Sequence, residues 1–379
     1  MTFSYETAEQ TVIFGAGQSE RLPKIIRGQG WHKVLLCTSP YMQRSGLVDR
    51  LRSQLGGILG AVYDQTAAHV PQQQVLEVME MMRSELFTAI VALGGGSVIG
   101  LGKAVSFALW SDGLDDRHVE NHPLPILAVP TTYAGSEMTP VFGVTERQVD
   151  GSLRKVTTRE RKISPRLSLY DPLLTLDLPP EMTAASGINA LAHGIEAVYS
   201  TTRNALSTAA AVRAITRIMQ ALPECFADGN DIDARCRMME GSHLAAVALA
   251  TVSMGLHHGT GHVLGGTAGV PHGVANGIVL PHALRFNADT VPAELALVAE
   301  AMGIERDGRS EYEMALAAAA TAEQLIGSLG MPQKLRDVGI DQALLPTLAQ
   351  NLLLSKAVQA NPKPLLSTEQ AFDYLKGMW

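Results

Sequence analysis

Apolar positions along the chain follow two rhythms. In the first half, short continuous apolar runs alternate with turns and amphipathic stretches. Lys33-Val34-Leu35-Leu36-Cys37 predicts a buried strand, followed by a turn at Ser39-Pro40 and a helix through Leu51. Gly60 to Tyr63, Ala89 to Leu93 and Pro125 to Val129 predict three more strands, while Val75 to Glu85 and Val98 to Leu109 carry helical spacing. Apolar strands separated by helices imply a parallel sheet covered on both faces. Val12-Ile13-Phe14 is a candidate edge strand, open to pairing across a two-fold axis.

The second rhythm begins after Leu178-Pro179-Pro180-Glu181, a breaker whose prolines suit the first turn of a helix. Ile188 to Tyr199, Leu206 to Leu222 and Asp233 to Leu256 predict long helices, and strand-like alternation nearly disappears. Ser367-Thr368-Glu369-Gln370 predicts a capping box opening a last helix through Lys376. The expected architecture is an α/β domain with a Rossmann-like parallel sheet, residues 1–175, followed by an all-α domain, residues 176–379, with the boundary at 172–180.

Composition narrows the class. With 379 residues, two cores are expected, and 46% hydrophobic against 18% charged residues is a globular balance. A net charge of −7 without any basic block argues against nucleic acid or an anionic membrane as the main partner. Cys37, Cys225 and Cys236 are too few and scattered for a disulfide framework and read as reduced thiols. The N-terminus lacks a basic segment leading into an apolar one, and the longest apolar run, Leu244 to Leu256, falls short of the ~20 residues a span needs. A cytoplasmic protein is expected.

Chemistry concentrates at three places. Gly94-Gly95-Gly96-Ser97 lies between a strand and a helix, where the backbone can approach a ligand and helix N–H groups favour a pyrophosphate. It is neither a Walker A loop nor the G-x-G-x-x-G fingerprint. A second small-residue loop, Val129-Pro130-Thr131-Thr132 with Ala134-Gly135-Ser136-Glu137, follows the fourth strand; the lesser alternative for Ser136 is an ordinary capped helix start. Third, seven of the eleven histidines fall between His193 and His282. Asn189 with His193, and His258 with His262, stand at i, i+4 and so share helix faces, with His272 nearby. Two readings stay open. Three imidazoles and the Asn189 oxygen form a weak set for Fe²⁺ or Zn²⁺, the neutral amide replacing a carboxylate. Alternatively the histidines form a metal-free pocket that binds anionic groups and delivers a proton, and the residues favour this one.

Taken in order, the Gly94–Ser97 turn, Pro130-Thr131-Thr132, Gly135-Ser136-Glu137, Asp171-Pro172, Leu178-Pro179-Pro180 and the histidine segment resemble the iron-type alcohol dehydrogenase family, from Val12 to Asn361-Pro362-Lys363-Pro364. The resemblance implies an NAD(P)-dependent oxidoreductase, a homodimer, and a small dicarboxylate or aldehyde substrate. It implies metal positions at Asn189, His193, His258 and His272, with His262 lining the pocket. It implies cofactor contacts at Gly95, Gly96, Ser97, Thr131, Thr132 and Lys155. Ser39, where NADH-selective members carry an acid, implies use of both NADH and NADPH. Asn189 in Ser186-Gly187-Ile188-Asn189-Ala190-Leu191-Ala192-His193, and the doublet His257-His258, are closest to the maleylacetate reductase branch. That branch works without metal and implies reduction of maleylacetate to 3-oxoadipate through His258, His262 and His193. Pro271-His272-Gly273-Val274-Ala275-Asn276 is more similar to the metal-dependent alcohol dehydrogenases, which act on small alcohols and aldehydes. Dehydroquinate synthase, in the wider superfamily, would require basic side chains around a phosphate that the N-terminal half does not offer.

Overall fold

A computed structural model describes residues 5, 7, 9–83, 86–111, 122–147 and 153–379, with the side chains of Leu153 and Lys155 outside the description. Contacts gather into two units, one of residues 7–178 and one built on Pro179–Trp379.

The first unit holds strands β1 (Thr11–Phe14), β2 (Val34–Cys37), β3 (Leu59–Tyr63), β4 (Ala89–Gly94), β5 (Ile126–Pro130), β6 (Val141–Arg147), β7 (Leu153–Arg159) and β8 (Leu167–Tyr170). Its helices are α1 (Leu22–Gly28), α2 (Pro40–Arg44), α3 (Leu47–Leu55), α4 (Gln72–Arg83) and α5 (Gly96–Ser111). Six strands form one parallel sheet in the order β1-β8-β5-β4-β2-β3, while β6 and β7 make a separate antiparallel hairpin. Alternate residues of β2, β4 and β5 feed opposite cores. Leu35, Ile90 and Ile126 pack on the side of α4 and α5, whereas Leu36, Val91 and Leu127 pack on the side of α1 and α3. Both faces are covered, which is why these strands read as unbroken apolar runs. Asp171 has a structural duty here: buried, it accepts hydrogen bonds from the backbone N–H groups of Gly17, Ser19 and Leu173 at 2.8–3.1 Å.

The expected strands stand within a residue or so of their predicted limits. The helix expected from Ser39-Pro40 through Leu51 is two helices, because Gly46 adopts a left-handed conformation between them. The end of the helix predicted to Glu85 lies outside the described residues. Ser136 opens a short 3-10 turn instead of a full helix.

The second unit is helical: α6 (Pro180–Tyr199), α7 (Ala205–Ala227), α8 (Ile232–Ala250), α9 (Leu256–Ala268), α10 (His272–Asn287), α11 (Pro292–Ala301), α12 (Glu311–Ser328), α13 (Leu345–Leu354), α14 (Lys356–Gln359) and α15 (Thr368–Gly377). Ser367 caps α15 by accepting from the Gln370 N–H at 3.1 Å. The helix predicted from Asp233 to Leu256 is broken: α8 ends at Ala250, and α9 starts anew at Leu256. The restart has a tertiary cause. Glu196 of α6 accepts the N–H groups of Gly255 (2.9 Å) and His257 (3.1 Å), and Asn361 Oδ1 accepts that of Leu256 (3.1 Å). Two remote side chains thereby satisfy amides that a continuous helix would have paired internally. Among the described residues no helix is long and apolar enough to cross a membrane.

Candidate active site

In the sheet unit, three candidate cofactor loops leave the C-terminal ends of three adjacent strands. Ser39 follows β2, Gly95 to Ser97 follow β4, and Thr131-Thr132 follow β5. The strand order reverses between β2 and β4, and ligands of doubly wound sheets bind at such a switch point. The loops are tied to one another: Thr38 Oγ1 donates to Leu93 O (2.9 Å) and the Thr131 N–H to Gly94 O (3.2 Å). A Cβ at Gly95 would stand 3.1 Å from the Thr132 side chain, so glycine is what lets the two loops close up. Helix α5 starts at this turn, and the N-terminal end of a helix favours an anion. Thr131 Oγ1 is buried without a hydrogen-bond partner, and the Ser39 hydroxyl makes no capping bond to α2. Buried polar atoms are nearly always paired, so Thr131 awaits a polar ligand, and these residues fit a nicotinamide nucleotide. Lys155 lies on β7 opposite Thr145; its side chain is outside the described residues.

In the helical unit, α6 carries Asn189, His193 and Glu196 in a stretch buried from end to end. Burying a polar group without a partner costs roughly 2–7 kcal/mol, so three on one helix face require partners. Glu196 and Asn189 find theirs on α9 and α10, whereas His193 Nδ1 is buried without a hydrogen-bond partner. His193 and His258 stack with ring centroids 4.7 Å apart; His257, His262 and His272 lie 4.8, 6.5 and 6.2 Å from His258. His262 and His272 stack at 5.5 Å, with His262 exposed and His272 half-buried. All five imidazoles of the cluster are thus brought together. Gly261 makes the close approach of α10 feasible, since a Cβ there would come within 2.9 Å of Asn276 Oδ1.

Glu196 was not singled out from the sequence, yet it organises this cluster. Its Oε2 stands 2.5 Å from His258 Nδ1, while Oε1 holds the amides that start α9. The available signal was its place at His193 + 3, on the same helix face. His257 lies between two partners, its Nε2 3.0 Å from the Asn276 carbonyl and its Nδ1 3.2 Å from His258 Nδ1. His258 Nε2 is buried without a hydrogen-bond partner. Burial pushes the His258 imidazole well below the usual histidine range, helped by the neighbouring His257 and His262. Burial also raises the Glu196 carboxyl, against the opposing pull of His257 and its backbone donors. A buried pair avoids net charge. The Glu196–His258 pair is neutral when it holds two protons, one in the 2.5 Å contact and one on Nε2, and in that form Nε2 carries an N–H.

The candidate metal set holds a neutral amide, Asn189, where a dication favours an anionic ligand. Asn189 Oδ1 accepts from Asn276 Nδ2 at 2.5 Å and carries no charge. The His193 and His258 rings lie within 17° of parallel, with centroids 4.7 Å apart. Among the described residues, the His/Cys/Asp/Glu trio whose donor atoms gather within 4.8 Å is Glu196, His257 and His258, which are hydrogen-bonded to one another.

Small-residue turns at the switch point of a parallel sheet, joined in one chain to a helical unit with a buried histidine cluster, are the build of an NAD(P)-dependent oxidoreductase. Residues 9–172 match the family model of iron-containing alcohol dehydrogenases, and residues 183–377 match the C-terminal model of the Fe-containing alcohol dehydrogenase family. The chain belongs to the iron-containing alcohol dehydrogenase family. It is 38% identical to maleylacetate reductase 2 of Cupriavidus pinatubonensis, over 78% of this chain and 77% of that relative. It is 32% identical to a Pseudomonas maleylacetate reductase over 96% and 94%. Among solved structures, the maleylacetate reductase of Agrobacterium tumefaciens superposes with a TM-score of 0.85 at 31% identity, covering 100% of this chain and 98% of that one. A 1,3-propanediol oxidoreductase reaches a TM-score of 0.92 at 29% identity, with 100% of both chains covered.

Proposed function

We propose that this enzyme is a maleylacetate reductase: it reduces maleylacetate to 3-oxoadipate with NADH or NADPH and works without a metal ion. The observation that carries the reading is the buried Glu196–His258 pair, whose Nε2 has no protein partner, in a cluster where a neutral amide, Asn189, replaces an anionic ligand. The maleylacetate reductases to which the chain is similar support the substrate.

When bound, NAD(P)H supplies a hydride to the substrate double bond conjugated to the ketone. The backbone of Gly95, Gly96 and Ser97 would hold its pyrophosphate, and Thr131 and Thr132 its nicotinamide ribose. Ser39 would meet either a 2′-hydroxyl or a 2′-phosphate, and Lys155 would stand beside the cofactor. Negative charge then develops on the ketone oxygen, and the His258 Nε2–H is the donor for it. Giving up that proton takes the pair from neutral to a net −1, which the three N–H donors around Glu196 stabilise. His193, stacked on His258, holds the ring in place, while His262 and His272 offer imidazoles to the substrate carboxylates. The reading extends to a cytoplasmic homodimer; β1, at the sheet edge with Val12 and Phe14 exposed, supports pairing there.

The second reading is a metal-dependent alcohol dehydrogenase, favoured by the iron-containing family as a whole. Oxidation of NADH with maleylacetate or with small aldehydes, before and after dialysis against a chelator, separates the two. Turnover of maleylacetate that survives dialysis is expected. Activity confined to aldehydes and lost with the metal would overturn the proposal.

A further inference from the structure

Helix α5, Gly96–Ser111, is apolar along almost its whole length and carries one charged residue, Lys103, with no exposed surface. The ammonium is coordinated as a bound cation would be. Its Nζ lies 2.5 Å from Ser136 O, 2.7 Å from Thr139 O and 3.0 Å from Val141 O, with the Ser136 and Thr139 hydroxyls at 3.3 and 3.4 Å. Carbonyl oxygens only accept. Three of them call for three N–H donors, which an ammonium has and a neutral amine lacks. Burial pulls Lys103 down to about 7, and the charge of nearby Glu137 acts against that pull. Glu137 is itself held by the Tyr170 hydroxyl at 2.8 Å.

All three carbonyls belong to one segment, residues 131–141, which runs from the end of β5 to the start of β6. At its front that segment abuts the glycine turn. A Cβ on Gly95 would touch Thr132, and one on Gly96 would lie 3.4 Å from Ala134 and 3.9 Å from Ser136. The same segment carries Thr131, whose buried hydroxyl has no partner. Its shape is thus set from two sides, by the turn in front and by Lys103 behind. A loop tied down by a side chain from the neighbouring helix needs no ligand to order it, and such preorganisation is gained as affinity.

We infer that Lys103 is a positioning residue for the cofactor: an internal ammonium that holds segment 131–141 in its nucleotide-ready form without touching the nucleotide. The inference rests on the reading above, that this segment receives NAD(P)H.

The test uses the full chain with Lys103→Met, which keeps the length and removes every donor, and Lys103→Gln, which supplies two N–H groups and guards against a misfolded methionine variant. NADH affinity is followed by nucleotide fluorescence, and kcat and KM by steady-state turnover. For Lys103→Met the Kd and KM for NADH are expected to rise about tenfold or more, with kcat at saturating NADH within about threefold of the parent. Lys103→Gln is expected to fall between the two. A purely structural role would lower Tm without this split between KM and kcat. If folded Lys103→Gln or Lys103→Met binds NADH within about twofold of the parent, the inference fails while the function stands. A parent chain that binds neither nicotinamide nucleotide would remove both.

Discussion

Replacing Glu196 by glutamine separates the acid role of His258 from its anchoring. In the native pair, Oε1 accepts from Gly255 and His257 amides and Oε2 meets His258 Nδ1. Glutamine keeps the Oε1 acceptor, so α9 still starts at Leu256, and its amide NH₂ donates to Nδ1. Nε2 keeps its hydrogen and its ground-state contact to the substrate. It can release that proton only by becoming an imidazolate, because no carboxylate remains to share the charge. General-acid help is therefore lost and kcat should fall about 10²-fold, some 2.7 kcal/mol of barrier. The KM for maleylacetate should stay close to that of the parent. The parent kcat should fall as pH rises, because the pair then passes from two protons to one, and the variant should lack that alkaline limb. Glu196→Ala is the contrast: it strips the acceptor from two buried amides at about 1–3 kcal/mol each, so it should lose stability as well as rate. Single-turnover reduction and a pH profile measure the effect. A Glu196→Gln enzyme within about threefold of the parent kcat, with the same alkaline limb, would refute the assignment of the acid.

Three further expectations follow from particular contacts. Gly95→Ala places a Cβ 3.1 Å from Thr132 and forces the two cofactor loops apart, so the KM for NADH should rise about tenfold; an unchanged KM contradicts the proposed turn. Ser39→Asp should weaken NADPH about tenfold or more while sparing NADH, through repulsion of the 2′-phosphate; equal losses for both would disown the position. Burial, with Arg285 nearby, holds the His282 imidazole down at about 4, below the 6.5 of an ordinary histidine. The unfolded chain therefore binds more protons in that window. Stability present above pH 6.5 is lost as pH falls toward 4, by about 2–3 kcal/mol after allowance for solvent. Urea midpoints at neutral and acid pH should drop less for His282→Gln, and identical drops would disprove the linkage.

The legibility of the chain differs between its parts for physical reasons. The sheet strands Val34–Cys37, Ala89–Gly94 and Ile126–Pro130 announce themselves because both faces are covered and the run is unbroken. Leu167–Tyr170, equally buried, was passed over because Ser168 interrupts a run of only four residues. The hairpin of β6 and β7 was missed because its strands mix charged and apolar residues, although Phe142 and Val144 of β6 pack on the core. The break between α8 and α9 is invisible locally, since Leu249 to Leu256 keeps helical apolar spacing; it is dictated by Glu196 and Asn361, about 60 and 105 residues distant from the amides they hold.

What the sequence by itself determined was an inventory: the glycine turn after a strand, the hydroxyl loop, the i, i+4 histidines and the asparagine at 189. These rest on local spacing, which a single helix or turn already enforces. The tertiary structure decided how the inventory is used. It laid His193 beside His258, paired Asn189 with Asn276, and brought Glu196 to Nδ1, leaving Nε2 buried without a partner. Ring orientation and hydrogen-bond pairing arise between helices, so spacing along one helix carries no record of them.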